Sequence, residues 1–131
     1  MEYHLTEIDK AAKWVISQNK KLIAFKGDLG AGKTTLIKEV CKQLGVVEHL
    51  SSPSFALVNE YESDDGAIFH FDFYRLRSPE EALDFGLEDY FAQESYCLME
   101  WPERIEGLLP EESLCIQLEI LDAEKRRLKL Y

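Results

Sequence analysis

The chain has 131 residues with 15 basic and 25 acidic side chains, a net charge of −10, and 46% of it is apolar. That apolar share suits one ordinary globular domain over residues 1–131 and excludes a disordered chain. The acid is uneven: residues 60–112 hold 16 acidic and 3 basic side chains, a balance of −13, so the middle should repel nucleic-acid phosphate and anionic lipid.

In chain order, residues 1–10 show neither the basic start nor the apolar run of a leader. Thr6 with Asp9 resembles a capping box, and Ile8, Ala11, Ala12, Val15 and Ile16 then share one helical face. Residues 22–25 form a short apolar run that reads as a buried strand, and residues 34–44 read as a helix closed by Gly45 as a left-handed cap. Two β-rich stretches, 55–61 and 67–74, flank Ser63-Asp64-Asp65-Gly66, which has the chemistry of a hairpin turn. Ser78-Pro79-Glu80-Glu81 combines an N-cap, an early proline and a capping-box glutamate, opening a short helix that ends near Gly86. A further helical turn is expected over 87–91, a buried strand over 96–99, and a closing hairpin of 114–121 with 127–131. The sum is an α/β chain with a P-loop NTPase-like mixed sheet flanked by helices and with hairpins in its second half. No stretch approaches the ~20 apolar residues of a membrane span. Cys41, Cys97 and Cys115 form no metal-ligand or disulfide spacing, so they read as reduced core thiols of a cytoplasmic protein.

The sharpest chemical signal is Gly27-Asp28-Leu29-Gly30-Ala31-Gly32-Lys33-Thr34, a full G-x-x-x-x-G-K-[ST] match between a strand and a helix. That order is what phosphate binding needs. The amides of Leu29, Gly30, Ala31 and Gly32 can turn inward around phosphate oxygens, and the helix N-terminus adds partial positive charge at the same point. Lys33 is placed to neutralise charge on the β- and γ-phosphates. The Thr34 hydroxyl is placed to ligate Mg²⁺, and Thr35 to bond the α-phosphate.

A phosphate loop also needs a carboxylate on a neighbouring strand. Two apolar runs end in an acid, at Asp72 and at Glu100, and buried strand ends are costly places for acids unless they meet a cation. One would serve the metal and the other the attacking water; spacing does not say which. His70 alternates with Phe69 and Phe71 and reads as a packed or hydrogen-bonded histidine rather than a proton shuttle. Trp101 follows Glu100 and is placed to wall the site. The hydroxyl-rich Ser51-Ser52-Pro53-Ser54-Phe55 fits a segment closing over the γ-phosphate and equally a plain turn. Arg75 and Arg77 follow Asp72 and fit either phosphate or the acidic middle as partner, with salt pairing the favoured reading. The Asn-Lys-x-Asp base reader and Asp-x-x-Gly switch of small GTPases are absent, which disfavours that class, and a small-molecule kinase remains as the alternative.

Taken together, the phosphate loop with Thr35, then Ser52-Pro53-Ser54-Phe55, His70-Phe71-Asp72-Phe73-Tyr74-Arg75 and Glu100-Trp101-Pro102 resemble the bacterial TsaE (formerly YjeE) family. Residues 83–91 resemble that family's segment between its second and third motifs. The family's usual S-P-T is S-P-S here, which keeps the hydroxyl at Ser54. The resemblance implies an ATP-dependent subunit of the machinery that makes threonylcarbamoyladenosine next to the tRNA anticodon. It implies Thr34 and Glu100 at Mg²⁺, Asp72 in hydrolysis or metal positioning, and Trp101 beside ATP or ADP. It also implies TsaD and TsaB as protein partners, with tRNA reached only through them.

Overall fold

The structure is a computed structural model that describes residues 1–46 and 57–131. Its strands are β1 (Glu2–His4), β2 (Leu22–Lys26), β3 (Val58–Ser63), β4 (Gly66–Asp72), β5 (Tyr96–Glu100), β6 (Leu114–Ile120) and β7 (Lys125–Leu130). The helices are α1 (Ile8–Ser17), α2 (Lys33–Gln43), α3 (Pro79–Asp84) and α4 (Leu87–Phe91), with 3₁₀ turns at Leu5–Glu7 and Pro102–Ile105. The strands form one mixed sheet of order β1-β7-β6-β2-β5-β4-β3. Its centre, β6-β2-β5-β4, is parallel, and antiparallel partners β7 and β3 flank it.

Parallel strands covered on both faces need apolar side chains in both directions, and β2, β4 and β5 supply them. Ile23, Phe25, Ile68 and Leu98 pack under α1 and α2, through Ala12, Val15, Leu36 and Val40. Ala24, Phe71, Cys97 and Met99 face the other way, onto Ala82 of α3 and Leu87 of α4. The ring of Phe71 stacks on Phe73 at 5.4 Å and meets Tyr90 edge-on at 5.3 Å, so this second layer is largely aromatic. Cys41 and Cys97 are buried and Cys115 is half-buried, all unpaired, and burial pushes the first two thiols up to about 12. Among the described residues no helix is long and apolar enough to cross a membrane.

Several local expectations need correction. The Thr6–Asp9 box does not form, because α1 begins at Ile8 with no side-chain cap. The capping happens one turn earlier: Thr6 N–H donates to His4 Nδ1 at 3.1 Å, and His4 N–H donates to Glu7 Oε1 at 3.4 Å. Ser78 likewise caps nothing with its side chain, and Glu81 Oε1 instead accepts from Arg77 N–H at 3.0 Å. The second hairpin strand stops at Asp72, whose Oδ1 accepts from Tyr74 N–H at 3.1 Å and turns the chain out of the sheet. The closing hairpin is tighter than expected. Asp122 Oδ1 accepts from Glu124 and Lys125 N–H, both at 2.8 Å, so β7 starts at Lys125. The end of α2 follows expectation, with Val46 N–H bonding Cys41 O and Gly45 N–H bonding Lys42 O, a Schellman closure. Of the expected 55–61 strand, Phe55 and Ala56 lie outside the described residues, as does the whole of 51–54.

Candidate functional site

The three central strands β2, β5 and β4 stop at the same edge of the sheet. Phe25 pairs with Glu100, and Glu100 pairs with Asp72, so the loop after β2 faces the carboxyl ends of its two neighbours. A crevice at such strand ends is where α/β sheets place ligands. Residues 27–32 form that loop, and Gly27 is required at its start: a Cβ there would lie 2.8 Å from the Leu118 carbonyl oxygen of β6.

A cleft of about 320 Å³ opens on this edge. It brings together Leu29, Gly30, Gly32, Lys33, Thr34, Thr35, Asp72, Glu100 and Trp101, and adds Tyr74. Of the expected site residues only Ala31 is turned away. Its side chain is buried in the core, its N–H donates to Asp28 O at 3.0 Å, and its carbonyl accepts from Arg126 Nε at 2.9 Å.

Lys33 is 4% exposed; its Nζ donates to the Gly27 carbonyl and sits 3.5 Å from the centre of the Trp101 ring. Burial lowers the Lys33 pKa, against the opposing pull of Glu100, Glu103, Asp72 and Asp28. Trp101 holds this position with a φ of +58°, an uncommon left-handed conformation for a bulky residue, and the Tyr74 ring packs against it at 4.9 Å, tilted by 51°. Thr34 Oγ1 lies 2.8 and 3.0 Å from the two carboxylate oxygens of Glu100. Glu100, only 3% exposed, also meets His70 Nε2 at 2.6 Å, and His70 Nδ1 lies 3.4 Å from the Tyr61 hydroxyl. With the carboxylate ionised, Nε2 carries the proton and donates to it. Asp72 is exposed at the cleft wall.

Among the described residues no group of three His, Cys, Asp or Glu side chains forms a cage. The donors that converge are a hydroxyl and a carboxylate, hard oxygens in the small number that Mg²⁺ uses while keeping waters and binding phosphate. The residues therefore fit that ion better than a transition metal. His70, Tyr74 and Arg126 were not expected as parts of the site. The alternation of β4 puts His70 on the same face as Asp72, and Tyr74 belongs to the His70–Arg75 motif, so the sequence carries a signal for both; Arg126, which reaches the loop from β7, has none, since nothing local marks it.

The family model described as threonylcarbamoyl adenosine biosynthesis protein TsaE matches residues 3–128. A protein of Haemophilus influenzae named tRNA threonylcarbamoyladenosine biosynthesis protein TsaE is 42% identical over 101 residues, 77% of this chain and 64% of that relative. The Bacillus subtilis protein of the same name is 36% identical over 107 residues, 82% of this chain and 66% of that one. The chain thus spans just under two thirds of the length of both relatives. The crystal structure of Bacillus subtilis YdiB superposes with a TM-score of 0.76 at 30% identity, covering 99% of this chain and 83% of that one. With the match running nearly from end to end and the fold held in common, the chain belongs to the TsaE family of threonylcarbamoyl adenosine biosynthesis proteins.

Proposed function

We propose that this chain binds ATP with Mg²⁺ in the cleft and hydrolyses it as a subunit serving threonylcarbamoyl modification of the adenosine next to the tRNA anticodon, in company with TsaD and TsaB. The observation that carries the reading is the Thr34 hydroxyl on the Glu100 carboxylate beside the buried Lys33, at the mouth of a complete phosphate loop. Lys33 exchanges its bond to the Gly27 carbonyl for phosphate oxygens, and the amides of the loop and the start of α2 receive the rest of the phosphate charge. Thr34 and Glu100 would hold Mg²⁺, which would supply further charge neutralisation. His70 holds the Glu100 carboxylate in place from behind. Asp72, exposed and opposite Glu100 in register, orients or deprotonates the attacking water. Trp101 and Tyr74 wall the cleft beside the nucleotide.

The test is reconstitution. ATP hydrolysis is measured for the chain alone and with TsaD and TsaB, with Lys33→Ala as the inactive control. Slow turnover alone, faster turnover in the complex and none for Lys33→Ala is the expected pattern. Hydrolysis by Lys33→Ala at the unmodified rate would refute the site.

A further inference from the structure

Among the described residues four polar or charged side chains are buried: Lys33, His70, Glu100 and Arg126. The first three belong to the cleft or back its carboxylate. Arg126, 8% exposed on β7, has no such explanation, and no carboxylate among the described residues pairs with it. A buried guanidinium without an anion is costly. Its hydrogen bonds all go to carbonyls: Nη1 donates to Asp122 O at 2.7 Å and Lys125 O at 3.0 Å, and Nε to Ala31 O at 2.9 Å. The first two fix the guanidinium to its own hairpin. The third crosses 95 residues of sequence to the phosphate loop.

That third bond has a geometric consequence. A peptide unit is planar and trans, so its C=O and N–H point in opposite directions. Holding the Ala31 carbonyl on Arg126 aims the Gly32 N–H the other way, to the side where Gly32 lines the cleft and Ala31 does not. No backbone carbonyl among the described residues accepts from that N–H. Gly32 has a φ of +104° with nothing within 4 Å of the position of a Cβ, so its own sterics do little to fix this peptide.

We propose that Arg126 is a positioning residue of the nucleotide site, whose bond to Ala31 fixes the Ala31–Gly32 peptide so that Gly32 N–H faces the phosphates, and whose unpaired charge adds to the field there. This rests on the reading of the cleft as a nucleotide site. The closing hairpin then moulds the loop twice, through Leu118 against Gly27 and through Arg126 on Ala31.

The experiment is calorimetric titration of Mg·ADP and of Mg·pyrophosphate into the full chain and into Arg126→Gln, Arg126→Lys and Arg127→Gln. Arg127, half-buried and bonded to Glu2, is the control from the same strand. Loss of one charged hydrogen bond predicts about tenfold weaker binding of both ligands by Arg126→Gln. Arg126→Lys, which keeps the charge without the fork, is expected to fall between, and Arg127→Gln to match the unmodified chain. The amide resonance of Gly32 should move in ligand-free Arg126→Lys. Should Arg126→Gln not fold, a several-fold loss in Arg126→Lys at unchanged melting temperature supports the proposal. A lower melting temperature with unchanged affinity, in either variant, overturns it by showing a merely structural tie. If the unmodified chain binds neither ligand, the nucleotide reading fails and this inference with it. If it binds both and the Arg126 variants bind equally well, this inference alone fails.

Discussion

Glu100 sits where two demands meet. Burial makes its carboxylate expensive, and Thr34 and His70 are the groups that offset the cost in the ligand-free chain. Removing the ring in His70→Ala takes away one of these partners, which should cost about 1–3 kcal/mol of folding stability, read by urea denaturation. The same change should raise the Mg²⁺ concentration needed for tight ADP binding, because the carboxylate is no longer aimed. His70→Gln should recover much of both effects, since its side-chain amide can donate at a similar reach; an alanine-like glutamine variant would show that ring packing, not the hydrogen bond, matters. Asp72 predicts the opposite signature. It is exposed and built into a turn through Tyr74 N–H, so Asp72→Asn should leave ADP affinity and stability near those of the unmodified chain. Hydrolysis in the complex should fall by about 10²–10⁴-fold, the usual scale of a lost general base. Equal turnover by Asp72→Asn would remove it from the reaction.

At the scale of elements, the loop's shape depends on a strand that is far away in sequence. β6 lies beside β2, and its Leu118 carbonyl leaves no room for a side chain at Gly27. Gly27→Ala must therefore shift either the loop or the β6 backbone. A loss of about 1–3 kcal/mol of stability is expected, as for other overpacked sites, with weaker ADP binding in the folded protein; thermal melts with and without ADP separate the two effects. This also explains what was legible from residues alone. The loop, its preceding strand and its following helix are contiguous, so composition and periodicity reach them. Glu100 and Asp72 could be picked out because each ends an apolar run, although only strand register shows them side by side. Arg126 could not be, because its partner is 95 residues away and its own stretch reads as a polar strand. β1 was equally hidden: three residues at a sheet edge carry too little alternation, and it exists because β7 offers Tyr3 and its neighbours a pairing edge. The caps differ for a local reason. Ahead of α1 a histidine ring takes the role expected of Thr6 and Asp9; at α3 Ser78 and Pro79 hold their expected places, but the Ser78 side chain makes no cap bond and Glu81 accepts from Arg77 N–H.

Across the whole molecule, charge is divided by layer. The acids of α3 and α4 that reach solvent, Glu80, Asp84, Glu88 and Asp89, lie on the sheet face opposite α1 and α2, while Glu81 is half-buried and occupied with Arg77 N–H. Neighbouring like charges on short helices repel, a cost that a basic protein surface would relieve. The same field would turn away nucleic-acid phosphate, so the role proposed above predicts that contact with tRNA runs through other proteins. Reversing Glu80, Asp84 and Glu88 together to lysine tests this, and Glu81 is left alone because its carboxylate holds the entry to α3. These acids do not line the cleft, so ADP affinity of the isolated variant should stay unchanged, which guards against a general folding defect. Association with TsaD and TsaB, followed by surface plasmon resonance, should slow at least several-fold at low salt. The difference should shrink as ionic strength rises and the Debye length falls below about 8 Å. If association keeps its rate and its salt dependence, docking uses another face. The surplus acid would then act as solubility charge, and only Glu100 and Asp72 within it would bear on the chemistry.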